Sequence, residues 1–162
     1  MFQIQKATPE HLDEIVSLWL KLMNLHKGFD PYYFSGTDDA KQRYKEDIEW
    51  FINNDSNKVY VALINNKVVG YVTAQLYFPL IYSRYNRNTH CSIEDIMIDE
   101  EYHHLSIGKA FVEEVKLWSQ SFGIKTIQLN VFSKNKNALE FFKALGFDEL
   151  FHKLELKINK DE

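Results

Sequence analysis

Phe2 and Ile4 alternate with polar neighbours up to Lys6, as a short strand does, and Thr8-Pro9-Glu10 then brings a capping residue, a first-turn proline and an early acid. A first helix should begin there. Leu12, Ile15, Val16, Trp19, Met23 and His26 recur at three- and four-residue steps, one apolar stripe that Gly28 is placed to terminate. Residues 28–39, GFDPYYFSGTDD, read as a loop, and Asp38 to Asn53 as a second helix with Tyr44, Ile48 and Phe51 on its apolar side. Two β-rich runs, Lys58 to Ile64 and Lys67 to Phe78, flank Asn65-Asn66, a pair tolerant of positive φ, which predicts a hairpin. Pro79 to Asn88 interrupts the pattern, and His90 to Ile98 resumes it as a strand.

A tight turn then leads into a helix with Ile107, Phe111, Val115, Trp118 and Phe122 as its core stripe and Gly123 as its stop. Thr126 to Phe132 alternates as a strand, Asn137 to Leu145 makes a short helix closed by Gly146, and Phe147 to Ile158 returns to strand. This order predicts an α/β sandwich, a mixed and mostly antiparallel central sheet flanked by helices.

With 162 residues, 45% apolar and 15% aromatic, the chain can bury one substantial core, so residues 1–162 are expected to form a single domain. A net charge of -4 argues against nucleic acid as a partner. The first residues lack the features of a signal peptide and no apolar run reaches membrane-spanning length, so a soluble, cytoplasmic protein without membrane attachment is expected. Cys91 is the single cysteine, which excludes an internal disulfide and a cysteine-rich zinc site. His103 and His104 are adjacent and diverge on any regular element, so no metal site is expected.

The segment DEEYHHLSIGKAFVEEVKLW (99–118) places the small residues Ser106 and Gly108 where a helix follows a strand. First-turn amides have no intrahelical partner and the helix dipole favours anions by roughly 0.3–1 kcal/mol. Gly108 lets an anion approach the backbone and Lys109 adds charge. An ordinary strand-to-helix connection, with a glycine kept for packing, fits the same residues.

His103-His104-Leu105-Ser106-Ile107-Gly108 follows the pattern Gln/Arg-x-x-Gly-x-Gly/Ala, IEDIMID (93–99) looks like a central strand, and NKNALEFFKALGF (135–147) carries an Asn-x-x-Ala, an aromatic pair and a Gly-Phe. In that order these motifs resemble the GCN5-related N-acetyltransferase (GNAT) superfamily. The resemblance implies an acetyl-CoA-dependent N-acetyltransferase in which a primary amine of a small molecule or peptide attacks the thioester directly. By the same resemblance, the CoA diphosphate lies against His103, His104, Leu105, Ser106, Ile107, Gly108, Lys109 and Ala110. Met97 and Ile98 would offer backbone groups to the pantetheine arm, and Asn130, Asn135, Ala138 and Phe142 would complete the cofactor contacts.

The resemblance also places the acceptor groove at Phe29, Tyr32, Tyr33, Phe34 and Tyr77, with Phe78, Tyr82 and Tyr85 nearby. A homodimer is a family expectation. Glu94 is the candidate general base, a role typically worth roughly 10²- to 10⁴-fold; a strand acid paired with a basic residue is its structural alternative. Simple alternation would send Asp95 to the opposite face. Three residues depart from the family pattern: His103 for Gln or Arg, Ser106 for glycine, and Phe142 where many members carry a proton-donating tyrosine. Phe142 therefore motivates a second reading, a non-catalytic acyl-CoA-binding sensor or regulatory module. Asn135 equally suits an N-cap. Asp30, Asp38 and Asp39 suit a cationic acceptor, and Arg84 and Arg87 oppose it.

Overall fold

The computed structural model describes residues 1–32, 39–78, 89–156 and 158. Tyr33, Phe34, Asp38, Tyr82, Arg84, Tyr85 and Arg87, and the interruption at 79–88, lie outside the described residues. Five strands form one sheet in the order β1-β2-β3-β4-β5: Gln3–Lys6, Asn57–Ile64, Lys67–Tyr77, His90–Ile98 and Ile127–Leu129. All neighbours are antiparallel except β4 and β5. The helices are α1 (Leu12–Phe29), α2 (Ala40–Ile52), α3 (Ile107–Ser121) and α4 (Lys136–Ala144).

Each face of the sheet carries its own apolar cluster. Leu12, Ile15, Trp19 and Met23 of α1 and Ile48 of α2 close over Val59, Val61 and Tyr71 on one face. Ile107, Phe111, Val115 and Trp118 of α3, with Phe142 of α4, cover Ala62, Val72, Ala74, Cys91 and Ile93 on the other. Side chains of this size contribute roughly 1.5–3 kcal/mol each when fully buried. At the β2–β3 hairpin, Asn65 and Asn66 adopt φ of 50° and 63°, the paired left-handed conformation of a type I′ turn.

Four expectations need correction. Helix α1 starts after a 3₁₀ turn at Pro9–His11 and runs through Gly28 to Phe29; an exposed glycine lowers helix stability by only about 1 kcal/mol, too little to end a helix held by its buried stripe. Phe122 leaves the α3 stripe because the helix ends at Ser121, and its ring is 52% exposed. The strand expected at 126–132 shortens to Ile127–Leu129. The strand expected over 147–158 does not form in 148–156, which pairs with no other segment among the described residues, and an alternating pattern cannot become a strand without a neighbour to take its hydrogen bonds.

Candidate active site

Strand β4 has two unequal edges. Toward β3 it is paired from His90 to Ile98, whereas β5 pairs only with Cys91, Ser92 and Ile93. From Glu94 onward no strand among the described residues lies on the β5 side of β4, because β5 ends at Leu129 and Asn130 is already exposed. At the end of β4 the Asp99 amide donates to the Val69 carbonyl at 2.8 Å, and a 3₁₀ turn over Glu100–Leu105 carries the chain to α3.

Ser106 joins that turn to the helix at φ 60° and ψ 20°, the left-handed region where a glycine is unstrained. The Ala110 amide donates to the Ser106 carbonyl at 3.2 Å. The Ala110 N–H therefore belongs to the helix, and the first-turn amides without an intrahelical partner are those of Ile107, Gly108 and Lys109. Gly108 has a packing reason as well, since a Cβ there would lie 2.8 Å from Cζ of Phe141. His103 Nε2 donates to the Ile98 carbonyl at 2.8 Å, so this imidazole holds the last residue of β4 on the side away from β3. His104 and Lys109 are exposed, and Leu105 packs against the α3 cluster.

The register of β4 slips at the candidate base. Ile93 faces Ala74 and Asp95 faces Thr73, which leaves Glu94 as an extra residue in a β-bulge. A bulge resets alternation. Ile93, Ile96 and Ile98 all join the α3 cluster, whereas Met97 joins the α1–α2 cluster and Asp95 meets Tyr44 of α2. Glu94 accepts from the Tyr77 hydroxyl at 3.3 Å, and Tyr77 shares its face of β3 with Tyr71, which borders the same tyrosine network as Asp95. Asp95 is thus corrected: both carboxylates stand on the α1–α2 face.

Their surroundings differ sharply. Glu94 is exposed. Asp95 is half-buried, with Oδ2 2.7 Å from the Tyr44 hydroxyl, which lies 3.1 Å from that of Tyr71. Having one proton, Tyr44 serves the carboxylate and accepts from Tyr71. The Asp95 amide, displaced from the ladder by the bulge, donates to Thr73 Oγ1 at 3.0 Å. Burial pushes the Asp95 carboxyl up, opposed by the Tyr44 hydrogen bond and assisted by the nearby Glu94 charge. Burial likewise raises the hydroxyls of Tyr44 and Tyr71. Trp19 stacks on Tyr44 at 4.2 Å between ring centroids, fastening the group to α1. Nothing in the one-dimensional pattern marked this network; Tyr44 read as an apolar-face residue.

The remaining candidates divide. Asn135 caps α4, its side chain accepting from the Ala138 amide at 3.1 Å, and Ala138 packs against the α3 cluster. Phe142 is buried in that cluster, its ring between those of Phe141 and Phe147 at 5.0 and 5.5 Å. Phe29 packs on Phe132 beyond β5 at 6.1 Å, and its carbonyl accepts from Lys134 Nζ at 2.8 Å. This brings the end of α1 beside the open side of β4. Tyr32 is 71% exposed, its amide donating to Asp30 Oδ1. Tyr77 lies beside Glu94, its ring stacked on His90 at 5.3 Å. Burial pushes the Cys91 thiol up, the reverse of what a nucleophile requires.

The model of the acetyltransferase (GNAT) family matches residues 19–147, and the chain belongs to that family. An uncharacterized N-acetyltransferase of Methanocaldococcus jannaschii is 28% identical over 148 residues, 91% of this chain and 61% of that protein. The chain therefore spans about three-fifths of that relative. A putative phosphinothricin acetyltransferase of Bacillus subtilis is 32% identical over 117 residues, 70% of this chain and 68% of the relative. Among solved structures, a variant of the BH1408 protein from Bacillus halodurans has a TM-score of 0.85 at 20% identity, covering 97% of this chain and 99% of its own. The aminoglycoside acetyltransferase AAC(6')-Iy, in complex with a CoA-containing bisubstrate analogue, superposes with a TM-score of 0.73 at 16% identity, covering 98% and 99%. These likenesses below 25% identity concern the fold.

Proposed function

We propose that this chain is an acetyl-CoA-dependent N-acetyltransferase acting on a primary amine of a small molecule or peptide. The observation that carries the reading is the open side of β4 from Glu94 to Ile98, meeting the free first-turn amides of α3. A CoA-type ligand fits this arrangement: Ile107, Gly108 and Lys109 would hold its diphosphate, with charge from the Lys109 side chain, and the backbone of Met97 and Ile98 lies alongside for the pantetheine arm. Acetyl-CoA, when bound, supplies an acyl group activated as a thioester.

The protein's own part is proton transfer and orientation. Glu94 takes the proton of the acceptor ammonium or amine, using Oε2 while Oε1 accepts from Tyr77. Tyr77, stacked on His90, fixes the carboxylate's direction. Phe29, Tyr32 and Tyr77 flank the acceptor side, and Tyr33 and Phe34 are proposed with them from the family pattern. Asn130, Asn135, Ala138 and Phe142 are proposed as further cofactor contacts from the family pattern, with Asn135 also capping α4. Phe142 has no proton to give, and a thiol with pKa near ~8.5 departs without the acid help that an alkoxide needs.

Incubating the chain with acetyl-CoA and a panel of polyamines, amino acids, aminoglycosides and peptides, while following thiol release, tests the proposal. Turnover with at least one amine class is expected; release at the uncatalysed rate throughout the panel refutes it. Phe142, which has no proton to donate where many family members carry a tyrosine, motivates one alternative, a non-catalytic acyl-CoA sensor. That reading predicts CoA binding by calorimetry with no transfer, unaffected by Glu94→Gln.

A further inference from the structure

The bulge in β4 is held by two bonds to a single residue. The Asp95 amide donates to Thr73 Oγ1 at 3.0 Å, and the Asp95 carboxylate accepts from the Tyr44 hydroxyl at 2.7 Å. Thr73 lies on β3 and Tyr44 on α2, so Asp95 is fixed at its main chain from one element and at its side chain from another. Thr73 is 1% exposed, which leaves it no surface with which to meet acceptor or cofactor.

The side chains of β4 require a bulge but do not say where. In unbroken alternation from Ile93, which joins the α3 cluster, Asp95 would enter that cluster, and Ile96 and Ile98 would turn to the α1–α2 face. A carboxylate would then lie among apolar side chains. One extra residue reverses the phase, so that Ile96 and Ile98 meet the α3 cluster and Asp95 meets Tyr44. An extra residue at 94 or at 95 serves that purpose equally.

Thr73 makes the choice. Its hydroxyl gives the Asp95 amide an acceptor outside the ladder, so Asp95 takes the place opposite Thr73 and Glu94 becomes the extra residue. Tyr71 and Tyr77 share that face of β3: the Tyr71 hydroxyl lies 3.1 Å from that of Tyr44, and the Tyr77 hydroxyl donates to Glu94 at 3.3 Å. One strand thus sets both the register of the acid and its direction. On the reading of Glu94 as general base, we infer that Thr73 is a positioning residue for acetyl transfer, acting by holding Glu94 as the extra residue of the bulge.

Thr73→Val keeps the branched shape and removes the acceptor. In the full chain it should lower kcat by roughly 10²-fold, the order expected of a displacement of about 1 Å at the reacting group, with KM for acetyl-CoA changed by no more than about threefold. Thr73→Ser, which keeps the hydroxyl, should recover most of the loss. In a Glu94→Gln background the valine substitution should lower kcat by no more than about twofold further, because both changes then remove one function. Without substrate, the Asp95 amide of Thr73→Val should exchange its hydrogen roughly tenfold faster by NMR. A valine variant with wild-type kcat overturns the inference, as does a serine variant equally slow or the same fall in both backgrounds. Wild-type turnover by Glu94→Gln refutes the general base instead; unchanged exchange at Asp95 in Thr73→Val then refutes the lock as well, and faster exchange upholds it.

Discussion

Glu94 and Asp95 are chemically similar neighbours given opposite environments by one extra residue in β4. Glu94→Gln should lower kcat/KM by roughly 10²- to 10⁴-fold while CoA affinity measured by calorimetry stays within about threefold. Asp95 works under a penalty: because its folded carboxyl titrates above the ordinary value, the folded state binds the proton more tightly than the unfolded chain does. Stability contributed by the protonated form is therefore lost as pH rises from the unfolded value of 3.8 through the folded one. Asp95→Asn keeps an acceptor for Tyr44 and removes the charge, so its melting temperature should exceed the wild type's at pH 7, with the gain shrinking toward pH 4 in a thermal-melt series. Phe142→Tyr offers a complementary check. A hydroxyl placed among Phe141, Phe147 and the α3 cluster without a partner should cost about 1–3 kcal/mol and leave the rate unimproved. A faster enzyme would show that the ring reaches the reacting atoms.

Elements with a self-contained signal appear where the pattern puts them. The Asn65-Asn66 hairpin depends on neighbouring φ angles, α2 on its own stripe, and α4 on Asn135 bonding the amide three residues on. The bulge was not legible, because it is a property of two strands: only the register of β4 against β3 reveals that Glu94 lacks a partner. Nor was the conformation of Ser106, whose left-handed φ follows from joining a 3₁₀ turn to α3. Ser106→Val should cost about 1–2 kcal/mol, a fall of roughly 2–8 °C in Tm, whereas Ser106→Gly should be neutral or stabilising. Equal melting of all three proteins would show that no strain resides at this joint. The same argument explains why the family pattern has a glycine there.

At the scale of the whole molecule, the two apolar clusters on the faces of the sheet leave residues 148–156 outside both. The sequence by itself determined the order of the main strands and helices as far as α4, the mixed sandwich and the family pattern, because each rests on local spacing and residue chemistry. Only the tertiary structure decided that Asp95 shares a face with Glu94, that the Ala110 amide belongs to α3, that Phe142 is core, and that residues 148–156 pair with no strand among the described residues. Register, hydrogen-bond ownership and burial are relations between distant segments, and a one-dimensional pattern carries only the contribution of one side to each.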